Sequence, residues 1–561
     1  MTIDAVPPAL VLILAGFLLP AVRESWRPAL GLAAPLAALA LVWSIGDGPQ
    51  VTMGFLDYTL VPVTGDALSR LFGTIFSIMA FAGALFAYRT ASTFEMSAAF
   101  VYAGGALGVV FAGDLITVFV FWEIMAVAST MVIWASRQPH AYGASVRYML
   151  VHLFGGVVLM AGVVLHVTET GSADFGPMTA DGPATWLILA GFLINAGAPP
   201  LSAWLPDAYP EASPSGSVFL SAFTTKTAVY VLIRGFPGTE LLVYVGLFMI
   251  FYGIIYALLE NDMRRILAYS IINQVGFMVT GIGIGTEMAL NGAAAHAFAH
   301  IIYKALLLMS AGSVLHMTGK RKCTDLGGLF QSMPLTCICG TIGALAISSF
   351  PLTSGFISKS MISQAAIDQN LAFVWYLLAA ASAGVFLHAG IKFPWFVFFQ
   401  KDSGLRPPDP PLNMRAAMVL FAFLCVFLGV MPGPLYALLP YPVDYVPYTT
   451  DHVVTMLQLL LFSGLAFFLL LPQMKRTLTI SLDVDWFYRK GGPDLAVFVT
   501  DWISRARIRG ERHARQALDA WLARVFHLHG PTGRLARTWR TSSTVTIIIV
   551  LLTVYLLISY L

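Results

Sequence analysis

Sixteen apolar stretches follow one another along this chain with short polar connections, and nothing constrains its fold more. A helix that crosses the hydrocarbon core of a bilayer needs about 20 such residues. The stretches fall near 8–22, 28–45, 67–88, 95–113, 115–135, 142–168, 185–205, 215–234, 239–259, 265–284, 290–317, 335–363, 371–399, 414–435, 452–472 and 543–561. None shows the ten-residue alternation of a membrane barrel. The pattern predicts an all-α polytopic bundle of about sixteen transmembrane helices. Composition agrees: 58% of residues are hydrophobic and 11% charged, against about 25% charged in a soluble domain. A net charge of +3, with the basic residues gathered toward the C-terminus, argues against a nucleic-acid partner. The four cysteines, Cys323, Cys337, Cys339 and Cys425, form neither a disulfide framework nor a metal-ligand cluster with histidine. The first apolar stretch follows an acidic start and lacks a small-residue cleavage pattern, so it reads as a retained span.

Basic residues in short loops set the orientation. Arg23, Arg27, Arg89, Arg137, Arg264, Arg265, Lys320, Arg321, Lys322, Lys401 and Arg406 fall on one face when sixteen spans are counted. That face is then cytoplasmic, and both termini point away from it. Segment 475–542 differs in kind. Arg505, Arg507, Arg509, Arg512, Arg515 and Arg524 alternate with Trp502, Ile503, Leu518, Trp521, Leu522 and Val525. At helical spacing this is an amphipathic helix lying in the interface, with lipid or another subunit against it; a solvated linker is the alternative.

Two passages about 150 residues apart resemble one another: Gly197-Ala198-Pro199-Pro200-Leu201-Ser202-Ala203-Trp204 and Ser349-Phe350-Pro351-Leu352-Thr353-Ser354-Gly355-Phe356. Proline inside a helix removes a backbone hydrogen bond and clashes with the preceding turn. Spans 7 and 12 should therefore be discontinuous. Broken helices at corresponding places in two halves point to the site of a transporter with internal repeats, here spans 4–8 and 9–13. The division expected is 1–94 for the N-terminal helices, 95–236 and 237–399 for the two five-helix units, and 400–474 for additional helices. An interfacial segment at 475–542 and a last helix at 543–561 complete it.

Ionisable residues at bilayer depth are expensive and therefore functional by default. Glu123 sits mid-helix after Phe121-Trp122, where a carboxylate is costly without a nearby cation. Lys226 follows Thr224 and Thr225 near the middle of span 8, read as a continuous helix, and Lys359 lies just after the second break. A buried lysine can load and release a proton. His296, His300 and Lys304 recur at i, i+4 and i+8, so they stack along one face of span 11 and read as a proton wire. His388 and Lys392 repeat the i, i+4 spacing on span 13. His152, alone on span 6, reads as a packed core residue.

Several passages then carry a resemblance. Phe121-Trp122-Glu123, Trp204-Leu205-Pro206-Asp207-Ala208-Tyr209, Asp262-Met263-Arg264-Arg265-Ile266-Leu267-Ala268-Tyr269-Ser270, His300-x-x-x-Lys304-Ala305-Leu306-Leu307 and Pro351-Leu352-Thr353-Ser354-Gly355-Phe356 look like the antiporter-like subunits of respiratory complex I and of Mrp-type multisubunit cation/proton antiporters. The similarity covers roughly residues 60–435 and is greatest to the D-type component of Mrp antiporters, while the interfacial helix with a final span is more like the longest complex I homologue. The resemblance implies two inverted five-helix repeats whose proton half-channels meet on a polar axis at mid-membrane. By position it assigns Glu123 to the glutamate of span 5, Lys226 to the lysine of span 8 and Lys359 to the charged end of broken span 12. His296, His300 and Lys304 fall where the half-channels join. One departure matters: the family's lysine on broken span 7, nine residues before the tryptophan, is Asn195 here, and the histidine two residues before it is Ser202. Glu123 thus lacks its customary cation, and Asn195 is expected to hydrogen-bond it instead.

The function this predicts is proton translocation, with Na⁺ exchange as a second ionic option, by one component of a larger complex in a bacterial-type inner membrane. Its partners are other membrane subunits, protons or Na⁺, and lipid. No cofactor is implied, because no dinucleotide fingerprint, cysteine ligand set or haem motif occurs; any enzyme activity belongs to the whole complex. The alternative is a component with a degenerate channel that couples structurally to a redox or carbon-hydration module, which Asn195 favours. A stand-alone transporter of a small solute is disfavoured, since no substrate-sized polar cluster accompanies the lysines.

Overall fold

The computed structural model describes residues 2–3, 5–472 and 482–561. Thirteen helices are long and apolar enough to cross a membrane among the described residues. Three shorter apolar ones, Pro8–Leu18, Pro183–Ala196 and Pro334–Ile347, join them. Together they coincide with the sixteen predicted segments.

After α1 (Pro8–Leu18) and α2 (Arg27–Ser44) comes a departure from the all-helical expectation. Strands β2 (Gly48–Phe55) and β3 (Tyr58–Gly65) form an antiparallel hairpin, and β1 (Thr2–Ile3) adds a third strand to β2. The reason is local: Val51-Thr52-Met53 and Thr59-Leu60-Val61 are rich in β-formers, and Leu56 takes a left-handed conformation at the turn. The Asp114 carboxylate fixes this hairpin to the bundle by accepting from the Val61 amide at 2.8 Å.

The bundle continues with α3 (Ala67–Ala87), α4 (Thr93–Phe111), α5 (Leu115–Trp134) and α6 (Pro139–Thr170), then the broken α7 (Pro183–Ala196) and α8 (Trp204–Ala208). Next come α9 (Pro214–Leu220), α10 (Thr224–Gly235), α11 (Leu241–Leu259), α12 (Met263–Ile284) and α13 (Glu287–Thr318). The second broken pair is α14 (Pro334–Ile347) and α15 (Ser354–Asp368), followed by α16 (Ala372–Val385), which runs on in a wider π-helical form to Phe399. The last are α17 (Leu412–Val430), the single turn α18 (Gly433–Tyr436) and α19 (Thr450–Leu470). Starts are capped as the sequence permits, with Asp66, Ser92, Asp114, Asp262 and Thr286 each accepting a first-turn amide. In the tight pair α11–α12, a Cβ at Gly253 would overlap the Tyr269 carbonyl and Asn273, so this crossing requires glycine.

Both predicted breaks are present. Gly197 turns left-handed and the chain unwinds until Trp204; Ser349 and Leu352 also take left-handed conformations between α14 and α15. Span 8, predicted to be continuous, is interrupted as well. The Thr224 amide donates to the Tyr102 hydroxyl at 2.8 Å instead of to its own helix, and α9 stops at Leu220.

Residues 486–561 form a second unit. It holds α20 (Gly492–His529), a 38-residue helix, and α21 (Thr541–Tyr560), a 20-residue apolar one. The predicted segment 475–542 includes α20; its portion at 475–481 lies outside the described residues.

Candidate functional site: a buried row of lysines and histidines

The segments that carry Lys226 and the α13 stripe are among the most enclosed of the bundle. Lys226, His296, His300 and Lys304 have no exposed surface, and Lys359 is 2% exposed. A buried ammonium needs oxygen ligands in place of water, and the helix breaks supply them. The Lys226 Nζ donates to the Ser221 carbonyl at 2.7 Å and to Thr225 Oγ1 at 3.0 Å, both beside the break between α9 and α10. Lys359 repeats the device in the other half: its Nζ donates to the Ile347 carbonyl at 3.0 Å, freed where α14 ends, and lies 4.7 Å from the Phe277 ring centroid. Lys304, on continuous α13, donates to Ser270 Oγ at 2.9 Å.

Between them the α13 stripe stands as the spacing predicts. His296 pairs with Ser358 Oγ through Nδ1 at 3.0 Å and with Gln274 Oε1 through Nε2 at 3.1 Å. Ser358 is the residue before Lys359, so the stripe reaches the second break directly. His300 is buried with neither ring nitrogen hydrogen-bonded. Electrostatic interactions link Lys226 to Lys304 and Lys304 to Lys359. Among the described residues, no carboxylate forms an ion pair with any of the three. The row is therefore cationic when loaded, and a second proton placed about 10 Å from the first would be opposed by about 1.7 kcal/mol at an effective dielectric of about 20.

Two further predicted groups lie on the π-helical stretch that follows α16. Lys392 donates to the carbonyls of Ala257, Leu258 and Glu260 at 3.0, 2.6 and 2.6 Å, and so caps the end of α11. His388 bonds only the Gly384 carbonyl of its own helix, at 2.8 Å. They hydrogen-bond different partners, yet electrostatic interactions link His388 to Lys392 and also to Lys304 and Lys359.

The expected Glu123–Asn195 bond is not formed. Asn195 Oδ1 instead meets His152 Nδ1 at 2.7 Å, and Glu123 Oε1 is buried without a partner. The cause is the shape of α6. A Cβ on Gly156 would overlap Glu123 Oε1, so the missing side chain makes a notch that draws the carboxyl there.

Sequence alone did not reveal the polar frame around the row. Tyr102, Tyr148 and Thr224 join hydroxyls, with Tyr102 at 2.6 Å and Tyr148 at 3.3 Å from Thr224 Oγ1. Arg147 and Asp207 form a bidentate pair at 2.7 and 2.9 Å. Arg264 donates to the carbonyls of Pro210, Ala212 and Ser213 and to Ser217 Oγ. Glu95 accepts from Ser213 and Ser215 at 2.6 and 2.5 Å. Glu95 in an apolar run and the Ser213-Pro214-Ser215 corner were the available signals. Arg264→Ala strands the Ala212 carbonyl, while Pro210 keeps Arg321 and Ser213 keeps the Ser217 amide, so it should destabilise the chain by roughly 1–3 kcal/mol. A thermal unfolding scan in detergent reads this directly, and an unchanged transition would contradict it.

Comparison with known proteins agrees with this architecture. Residues 112–386 match the family model described as NADH:quinone oxidoreductase/Mrp antiporter, transmembrane. The chain is 30% identical over 357 residues to the A/B-type component of a probable K(+)/H(+) antiporter of Rhizobium meliloti, covering 59% of this chain and 36% of that protein. It is 29% identical over 352 residues to the D-type component of the Na(+)/H(+) antiporter of Alkalihalophilus pseudofirmus, covering 58% and 70%. Against the A-type component from that organism it is 28% identical over 448 residues, covering 68% and 55%. The chain thus spans between 36% and 70% of the length of these relatives. In fold it is similar to a chain of the Mrp complex from Dietzia sp. DQ12-45-1b, with a TM-score of 0.68 at 21% identity, covering 82% of this chain and 98% of that one. A chain of the membrane-bound sulfane sulfur reductase, an archaeal respiratory membrane complex, gives 0.72 at 24%, covering 98% and 99%. By this family match and these relatives, the chain is similar over about half of its length to the antiporter-like membrane subunits of the Mrp/complex I kind.

Proposed function

We propose that this chain translocates protons as one component of a multisubunit membrane complex. The observation that carries the reading is the buried row Lys226, His300, Lys304, His296, Lys359, in which each lysine is held by neutral oxygens and none by a carboxylate. Neutral oxygen ligands suit a lysine that must exist both with and without its proton, whereas a salt bridge would hold the charge in place. Glu123 completes the route in the first half, and His388 and Lys392 flank it in the second. The test is the isolated complex in proteoliposomes: an imposed ion gradient should build a pH difference, seen with an entrapped pH-sensitive dye. The relatives' names suggest Na⁺ and K⁺ as exchange ions, so both are tried. No pH change with either ion or with the complex's own driving reaction would refute the proposal.

A second reading has one observation in its favour. Asn195 stands where the family carries a lysine, so the first half can serve as a coupling element to a redox or carbon-hydration module while protons cross only in the second. The orientation follows the loop charges, with both termini away from the cytoplasm of a bacterial-type inner membrane. On this reading the α20 segment lies along the cytoplasmic face against lipid or another subunit. Its Trp502, Ile503, Leu518 and Trp521 are more than half exposed within the chain, and covering them at about 25 cal/mol per Å² outweighs the arginine contribution. Truncation before residue 475 should loosen the complex on native gels and spare the core bundle. Full co-purification of every partner with normal activity would exclude this docking role.

A further inference from the structure

Around the first helix break the chain gathers polar atoms that are buried and hydrogen-bonded to nothing: Glu123 Oε1 on α5, His152 Nε2 on α6, Asn195 Nδ2 on α7 and Ser202 Oγ in the unwound linker. Folded proteins satisfy roughly 90% or more of such groups. These four come from four consecutive pieces of chain, and one of them belongs to a histidine. His152 has no exposed surface. Its ring is held on three sides: Asn195 Oδ1 lies 2.7 Å from Nδ1, the Tyr148 ring centroid is 4.0 Å away and that of Trp204 is 4.6 Å away.

We propose that His152, oriented by Asn195, is the proton-carrying side chain of the first half and takes the place of the lysine absent from position 195. The proposal rests on the proton-translocating reading above and names the group that performs it there. With Nδ1–H donating to the Asn195 carbonyl oxygen, the lone pair of Nε2 is the basic site, and it is the nitrogen left open. A proton arriving at this position adds to Nε2, the imidazolium keeps its Nδ1–H bond to Asn195, and loss of the same Nε2 proton restores the neutral ring. No other bond changes.

The acidic counterpart is Glu123. Its carboxyl sits in the notch at Gly156, four residues beyond His152 on the same helix. That offset is one turn, about 6 Å along the axis on one face. On the other side the route toward Lys226 is made of hydroxyls. Tyr148, packed on His152, places its hydroxyl 3.3 Å from Thr224 Oγ1, at the helix start two residues before Lys226. Of the titratable groups nearby, Tyr148 from α6 itself packs on the His152 ring, Tyr209 lies one ring further beyond Trp204, and the Glu123 carboxyl lies at Gly156 one turn along α6. Among the described residues, no lysine or arginine is hydrogen-bonded to it. Lysine at 195 and histidine at 152 would be two cations competing for one carboxylate, and the chain keeps one of them.

The test uses the intact complex in inverted membrane vesicles, with transport normalised to the amount of assembled protein. His152→Gln keeps a hydrogen-bonding partner for Asn195 and cannot titrate, so ΔpH-linked transport should fall about tenfold or more. Asn195→Lys in that background should restore transport to within about threefold of wild type, because it rebuilds the glutamate–lysine pair. In wild type, a pH step should produce imidazole ring bands in the infrared difference spectrum that disappear in His152→Gln. Should His152→Gln fail to assemble, Asn195→Ala is read instead: it leaves the histidine present and unoriented, and the pH profile of transport should move by about one unit. Transport within twofold of wild type in assembled His152→Gln, or an unmoved profile in Asn195→Ala, overturns the proposal. Lys226→Ala separates the two levels: if it abolishes transport while His152→Gln does not, only the histidine assignment falls, and if neither matters the translocation reading falls with it.

Discussion

Lys226→Ala and Lys359→Ala are each expected to reduce ΔpH-linked transport by about a hundredfold or more while the complex still assembles. Each ammonium is enclosed, and each is held by a carbonyl released at a helix break, Ser221 for Lys226 and Ile347 for Lys359. Removing it takes out the one group at that point that can carry a proton. The structural consequence is smaller, because the same substitution removes a buried charge whose desolvation costs several kcal/mol. The neighbouring carbonyls and hydroxyls keep partial partners along their helices. Arginine is the more telling replacement. Lys226→Arg retains a positive charge but does not release its proton at any accessible pH, so it should be as inactive as alanine. A residue that served only to place a positive charge would be rescued. The measurement is the initial rate of dye quenching per assembled complex, with unimpaired flux in either alanine variant removing that lysine from the route.

The bilayer is what made this chain legible. Because each crossing must satisfy its own backbone in hydrocarbon, span length and apolar character predicted sixteen segments that the structure reproduces, and buried prolines predicted two of the interruptions. The third, in span 8, has no proline. It arises because Tyr102, 122 residues earlier in sequence, captures the Thr224 amide, and no window of local sequence contains that contact. The expected Glu123–Asn195 pair failed for a related reason. It rested on analogy, whereas the absence of a side chain at Gly156 and the presence of His152 one turn earlier on α6 redirect both residues. Isolated titratable residues on apolar helices are easily found; their partners, set by glycine notches and interhelical hydroxyls, are not. The amphipathic character of α20 was legible from its own periodicity, since its alternating arginines and aromatics need no tertiary contact to be recognised.

His300→Phe should separate function from stability. His300 lies four residues from His296 and four from Lys304 on α13, about 6 Å along the axis from each; the two histidine ring centroids are 6.3 Å apart. Both of its nitrogens are buried without a partner, and leaving such groups unpaired costs roughly 1–3 kcal/mol apiece. Phenylalanine has a comparable flat shape, carries no polar atom and can keep the edge-on packing against Tyr303, whose ring centroid is 5.2 Å away. The variant should therefore be at least as heat-stable as wild type. Transport should nevertheless fall about tenfold or more, because the stripe loses the titratable side chain that stands between Lys304 and His296. A histidine kept for packing would show the reverse, with full transport and a lowered unfolding temperature. Nothing else in the row offers so clean a contrast, since His296 is tied to Gln274 and Ser358 and its removal would strand both. Thermal scans and vesicle transport on the same preparations decide it. Normal flux through assembled His300→Phe would show that protons pass along α13 without this side chain.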